Sequence, residues 1–367
     1  MAAVGAASVS LNVGSASAAA PLGGPSAPPA YQFKVGSFEV TSVFDGAGRF
    51  PLQPGFVPDT PIEQVRGAFA DAMRSTETVE NPYTPMIINT GQRLILVDAG
   101  NGARPNAGAA GRLVENMNRA GIKPEQIDLV IISHFHPDHI FGLKSADGQP
   151  VFTNAEVAVP ERELSFWFDE GEESRSAEAR KANFGLARRI FAPGTLRMRT
   201  YKGGDEVTPG ITAIDAPGHS PGHMAFRVQS GNDGLLLLSD TAHLPFLFVR
   251  NPEWTFGFDM DRELGRQTRR KLLDQAAADR LPVAAFHWGF PNVGHVKRPA
   301  PASTSSGCPG RPERSAAGVS SQGRRLKRGS GGYPSAIMRT ASTATSPEHT
   351  VQLSTIVSPI RSGSDRT

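Results

Sequence analysis

Residues 31–298 predict an α/β fold, and three observations carry that expectation. Short apolar runs alternate with segments of helical spacing, the pattern of strands separated by helices. Several of those runs end on a histidine or an aspartate. That would gather polar chemistry at the carboxyl edge of a sheet, where open α/β folds place their ligand sites. The flanking segments lack both periods: 1–30 is rich in Ala, Ser, Gly and Pro, and 299–367 in Ser, Arg, Gly, Pro and Thr. Such compositions do not build a packed core.

Taken in order, 33–35 and 38–44 read as a strand pair around Gly36-Ser37. Residues 61–73 have helical spacing behind Thr60, a candidate N-cap. Leu94-Ile95-Leu96-Val97 is a short buried strand ending at Asp98, and 112–120 is a helix stopped at Gly121. Leu129-Val130-Ile131-Ile132 is a second buried strand. Helical patterns follow at 177–190 and 262–278, and strands at 211–214, 224–228, 235–238 and 283–286.

Composition narrows the chemistry. The only cysteine, Cys308, lies in the C-terminal tail, so no disulfide framework forms within the chain and any metal in the body must be held by His and carboxylate. No apolar run is long enough to span a bilayer. From Pro299 onward there are nine Lys or Arg against three Asp or Glu, so the positive balance sits in the tail and the body is net acidic. No basic stripe falls on a patterned element, so nucleic acid is not an expected partner.

The chemistry centres on Ser133-His134-Phe135-His136-Pro137-Asp138-His139, directly after a buried strand. His134 and His136 share a side if the extended geometry persists one step further. A turn at Pro137 would send Asp138 and His139 toward a second centre. Asp240 follows 235–238, His287 ends 283–286, and His219 lies in Ala216-Pro217-Gly218-His219-Ser220-Pro221-Gly222-His223. A lone histidine after a strand is usually a satisfied core or surface residue. A block of three imidazoles and a carboxylate is different, because burying it without a metal would carry a large desolvation cost. Imidazole and carboxylate without thiolate suit zinc, manganese, iron or cobalt.

These residues resemble the metallo-β-lactamase superfamily from about Phe33 to Val296. Within it, Asn89-Thr90-Gly91, Val97-Asp98-Ala99-Gly100, Gly218-His219-Ser220-Pro221-Gly222-His223 and Phe290-Pro291-Asn292-Val293-Gly294-His295 look most like methyl parathion hydrolase and its lactonase-like relatives. The resemblance implies an αββα sandwich with its site at one edge. It implies two divalent metal ions, zinc first. His134, His136 and His219 would hold one ion, Asp138, His139 and His287 the other, and Asp240 would bridge. Asp98 would support the site from behind the ligands.

The implied reaction is hydrolysis of a small-molecule ester: a lactone, an aryl ester or a phosphotriester. A hydroxide shared by the two metals would attack, with Asp138 and Asp240 in the catalytic set. His243, three residues beyond Asp240, would line the pocket or donate a proton. His295 would support the ligands, His223 would be structural, and His349 in the tail inert. For the aromatics Trp167, Phe184 and Phe246 core packing is the favoured reading, and the functional alternative makes them a pocket wall, with Trp167 and Phe184 the better candidates. Two other readings use the same ligands: a non-catalytic metal-binding pseudoenzyme, and a di-iron redox protein on this fold. A homodimer is compatible with the sequence.

Ala16-Ser17-Ala18 fits a signal-peptidase pattern, yet no basic residue precedes Lys34. The leader therefore reads either as an export signal lacking its front, with a periplasmic or secreted protein, or as a plain disordered leader on a cytoplasmic one. Beyond Pro299 neither period survives, and the composition matches an out-of-frame reading of GC-rich DNA. A frameshift near Lys297 is the expectation for 299–367.

Overall fold

The computed structural model describes residues 29–105, 107–297 and 350–352. The expectations for the leader, and for the tail apart from 350–352 (with Cys308 and His349), lie outside the described residues. β1 (Ala30–Val35) and β2 (Phe38–Val43) form an antiparallel hairpin. β3 (Gly46–Pro51) precedes helix α1 (Ile62–Asp71) and pairs with β4 (Thr78–Tyr83) beyond it. Then come β5 (Met86–Asn89), β6 (Leu94–Val97), α2 (Leu113–Arg119), β7 (Leu129–Ile131), α3 (Pro137–Ile140) and β8 (Glu156–Pro160). Helices α4 (Glu161–Phe168), α5 (Glu170–Arg175) and α6 (Glu178–Ile190) lead to β9 (Met198–Tyr201). The second half runs β10 (Glu206–Thr208), β11 (Ile211–Asp215), β12 (Met224–Ser230), β13 (Asp233–Leu237), α7 (Pro245–Phe248), α8 (Arg262–Asp279), β14 (Pro282–Ala284) and β15 (Val293–Lys297). β16 (Thr350–Gln352) lies antiparallel to β15.

Among the described residues the strands make two seven-stranded sheets, β1-β2-β5-β6-β7-β8-β9 and β10-β11-β12-β13-β14-β15-β16, besides the β3–β4 pair. Alternation along single strands explains how they stack. Leu129 and Ile131 of β7 enter one apolar cluster with Leu235 and Leu237 of β13, between the sheets. Their neighbours Val130 and Ile132 face the opposite way, into a cluster with α2 and α6. Likewise Leu236 and Leu238 pack with Leu272, Leu273 and Ala276 of α8. A strand covered on both faces has no polar side, which is why these runs are continuously apolar. The result is the αββα sandwich.

Several local expectations need correction. Thr60 does not cap α1: the helix starts at Ile62 behind Pro61 and has no side-chain cap. The β3–β4 pair carries no alternation legible in Gly46-Ala47-Gly48, and Val79 of β4 packs in one apolar cluster with Leu52, Phe56 and Phe69 of α1 and Leu247 of α7. Thr350–Gln352 pair with β15, although three residues are too few for a strand period to show in sequence. No helix of the described residues is long and apolar enough to cross a membrane.

Candidate metal centre

Strands β6, β7 and β8 run parallel in one sheet, as do β13 and β14 in the other. β11 runs in the same direction as β13, each being antiparallel to β12, and the loops after β7, β11, β13 and β14 bring the candidate ligands together at one edge. Two groups form there: His134, His136, His219 and Asp240, and Asp138, His139 and His287. Within each group every residue offers a ligand atom within 4.8 Å of the others. A third overlapping group joins Asp240 and His287 to His243.

Asp240 is the hub. Its Oδ2 lies 3.2 Å from His219 Nε2, 3.0 Å from His287 Nε2 and 3.2 Å from His243 Nε2. Its Oδ1 lies 3.2 Å from His139 Nε2. Asp138 Oδ2 faces His287 Nε2 at 3.3 Å, and His136 Nδ1 faces His219 Nε2 at 2.8 Å.

The outward nitrogens of His134, His219 and His287 are hydrogen-bonded, and that of His139 faces a carboxylate. Asp98, just past β6, accepts from Ser133 N at 2.8 Å and Ser133 Oγ at 2.9 Å, and lies 2.9 Å from His139 Nδ1. It adopts φ +63°, a left-handed conformation that aspartate tolerates better than most side chains. Ser133 Oγ spends its hydrogen on Asp98, so it can only accept from His134 Nδ1 at 3.0 Å. His134 Nε2 is thus left as a bare lone pair facing the centre. His219 Nδ1 is 3.0 Å from Asp259 Oδ1, and His287 Nδ1 is 2.9 Å from Pro82 O. Anchoring one imidazole nitrogen so that the other presents a lone pair is the habit of metal-binding histidine.

His223 serves Asp240 from behind. Its Nε2 accepts from Asp240 N at 3.1 Å, so its Nδ1 donates to Ala216 O at 3.0 Å. Burial holds its pKa down, to about 3, which suits that neutral role.

Charge balance points to cations. Burial pushes His134 and His136 well below the usual histidine range, reinforced by the neighbouring imidazoles. For His219 and His287 burial acts the same way, but the carboxylates overcome it: Asp240 and Asp259 raise His219 to about 9, and Asp240 and Asp138 raise His287 to about 9. His139 is driven well above the ordinary value against its burial, by Asp240, Asp98 and Asp138. Burial would raise Asp138 and Asp240, yet the imidazoles hold both below the carboxylate range. The carboxylates thus demand positive charge at the Nε2 atoms, which protons or metal ions supply. His134 Nε2, both ring nitrogens of His139 and Asp240 Oδ1 are also buried without a hydrogen-bond partner of good geometry, a costly arrangement that coordination would relieve at the two Nε2 atoms and at Oδ1. The residues fit a metal centre.

Not every expected residue lies where it was placed. Trp167 and Phe184 are fully buried in the core between sheet and helices, 4.7 Å apart by ring centroids. They are core and not pocket wall, because α4 and α6 turn their apolar faces inward. Phe246 packs edge-on against Phe69 of α1. His295 sits within β15 opposite Pro282 and Gln352, and strand pairing, not support of the ligands, is the role that its place in the sheet gives it. His243 does reach the centre, stacked on His287 at 4.4 Å. Burial holds it at about 3 despite Asp240.

Sequence reasoning missed Phe256, whose ring lies 4.1 Å from that of His243. It also missed the buried carboxylates Asp259 and Glu163. Neither carboxylate belongs to a local motif, and an isolated Glu in a helix reads as solvated surface.

The metallo-beta-lactamase superfamily model matches residues 80–287. That is more than half of the chain and spans both ligand groups, so the protein belongs to this superfamily. Among curated proteins it is 29% identical to an N-acyl homoserine lactonase of Bacillus cereus over 176 residues, 48% of this chain and 61% of that one. It is 26% identical to an N-acyl homoserine lactonase of a Bacillus species over 175 residues, again 61% of the relative. The matched region thus spans about 61% of the length of these relatives. Among solved structures, the hydrolase AbOPH of the beta lactamase superfamily superposes with TM-score 0.68 at 28% identity, covering 74% of this chain and 94% of that one. The dizinc quorum-quenching lactonase AidC superposes with TM-score 0.68 at 24% identity, covering 74% and 95%.

Proposed function

We propose that the protein is a dinuclear-metal hydrolase of small ester-type substrates, lactones first. The observation that carries this reading is Asp240: its two oxygens face both ligand groups at once, Oδ1 toward His139 and Oδ2 toward His219 and His287. The lactonase relatives and the dizinc lactonase among similar structures support zinc and a lactone. Aryl esters and phosphotriesters, the methyl parathion hydrolase branch of the family, are the next substrates to try.

Two divalent ions bound here would supply a water of lowered pKa and polarise the scissile carbonyl or phosphoryl group. The chain's part is to hold the geometry. Ser133, Asp259 and Pro82 O hold the outward nitrogens of His134, His219 and His287, and the Asp98 carboxylate lies 2.9 Å from that of His139. His223 holds the backbone of Asp240 in place. His243, neutral by burial, presents Nε2 3.2 Å from Asp240 Oδ2, where it can donate a hydrogen bond to that carboxylate.

The test is metal content of dialysed protein by mass spectrometry, alongside hydrolysis of a lactone, an aryl ester and a phosphotriester with and without chelator. About two ions per chain and chelator-sensitive turnover, fastest on the lactone, is the expected result. Folded, metal-loaded protein that turns over none of the three would overturn the hydrolase reading and leave a metal-binding pseudoenzyme.

A further inference from the structure

Glu163 is the third residue of α4 and fully buried. It lies outside both ligand groups, yet its carboxylate accepts four hydrogen bonds. Oε2 takes Phe135 N at 2.9 Å and Trp167 Nε1 at 2.7 Å. Oε1 takes Ser220 Oγ at 2.6 Å and Gly222 N at 2.7 Å. Phe135 stands between His134 and His136, and Ser220 follows His219. One side chain therefore ties the loop after β7 to the loop after β11. The fit is close on the second loop: a Cβ on Gly222 would lie 2.5 Å from Glu163 N. The ligands so joined, His136 and His219, meet at 2.8 Å.

We infer that Glu163 is a positioning residue for the first ion, setting the separation of the two loops that carry His134, His136 and His219. The inference rests on the proposed metal centre. It predicts an asymmetry, since the second group of Asp138, His139 and His287 receives no bond from Glu163. Glutamine keeps the shape but replaces one acceptor oxygen by an NH2 donor. In Glu163→Gln, two of the four inward donors then face another donor, and the loops must part.

The experiment is chelator-competition titration of Zn2+ into wild type, Glu163→Gln and Ser220→Ala. It is run together with amide hydrogen exchange at Phe135 and Gly222 and with the melting temperature of the metal-free proteins. For Glu163→Gln one of the two dissociation constants rises by roughly 10–100-fold, the range for lost outer support of a ligand, and the other changes by less than about threefold. Ser220→Ala, which removes a single donor, shifts the same constant in the same direction by less. The Phe135 and Gly222 amides exchange faster in Glu163→Gln. Equal weakening of both ions with a matching fall in melting temperature would show a merely structural role and overturn the inference, as would two unchanged constants. If wild type binds fewer than two ions, the dinuclear reading fails by itself. Glu163 is then judged on the remaining ion or, with none bound, on the two amides, and unaltered values overturn it.

Discussion

At the scale of single residues, Asp240 and Asp259 do different work. Asp240 belongs to the first ligand group, faces His139 and His287 of the second, and is buried among imidazoles. Asp240→Ala removes the one carboxylate that faces both. We expect turnover to fall by at least about 100-fold and metal content to drop, because loss of a shared ligand disables both ions; full activity in that variant would remove Asp240 from the mechanism. Asp259 instead holds His219 Nδ1 at 3.0 Å and lies 3.5 Å from Arg269 Nη2, with both partners buried. Asp259→Ala leaves the Arg269 guanidinium with the Trp254 carbonyl at 3.1 Å, the Phe248 ring at 4.9 Å and only the weaker pull of Glu253 as counter-charge. Stranding a buried charge costs about 3 kcal/mol, so chemical denaturation of the variant should show a loss of that order. A loss below about 1 kcal/mol would mean that solvent reaches the pair.

At the scale of elements, the loop from Ala216 to His223 shows how backbone decides ligand placement. Gly218 has φ +122°, and a Cβ there would collide with the backbone of Gly265 at the start of α8. Asp261 N, next to that helix, donates to Gly218 O at 2.9 Å. The loop is thus pinned to α8 on one side and to α4 on the other. Gly218→Ala must move the loop off α8 and carry His219 with it. We expect a loss of roughly 2 kcal/mol from backbone strain together with weakened metal binding, checked by denaturation and zinc titration on the same preparation. Unaltered zinc affinity beside lost stability would show that His219 does not follow its loop.

At the scale of the whole molecule, the ligands come from both sheets. His134, His136, Asp138 and His139 leave the first sheet after β7, whereas His219, Asp240 and His287 leave the second. Ions bound between them, as proposed, would staple the halves of the sandwich. With free metal at about 1,000 times its dissociation constant, linkage adds about 4 kcal/mol to stability, or roughly 10 °C in melting temperature for a domain of this size. Scanning calorimetry with and without chelator measures that difference, and no shift would mean that the ions do not bridge the sheets. Protons compete for the same nitrogens, since His219 and His287 hold theirs up to about 9. Apparent metal affinity should therefore strengthen as pH rises toward 9 and weaken as it falls, by roughly tenfold or more between pH 6.5 and 8.5. A flat profile would show that neither imidazole gives up a proton on binding.

What the sequence determined by itself is the set of ligand-type side chains and the strands that deliver them. Leu129-Val130-Ile131-Ile132 followed by Ser133 to His139 is local, and so are the apolar runs before Asp240 and His287. Strand burial and chain polarity place such residues at one edge without long-range information. Tertiary structure decided what surrounds them. Trp167 and Phe184 went to the core and Phe256 to His243, because which face of a helix is covered depends on the element laid against it. Glu163 and Asp259 became buried acceptors only where distant loops brought donors to them. His295, alike in residue type to the ligands, is held in β15 by strand pairing. A hydrogen bond or a ring contact across 40 or more residues, such as that of His219 with Asp259, has no period in sequence; it exists only when packing has fixed both partners.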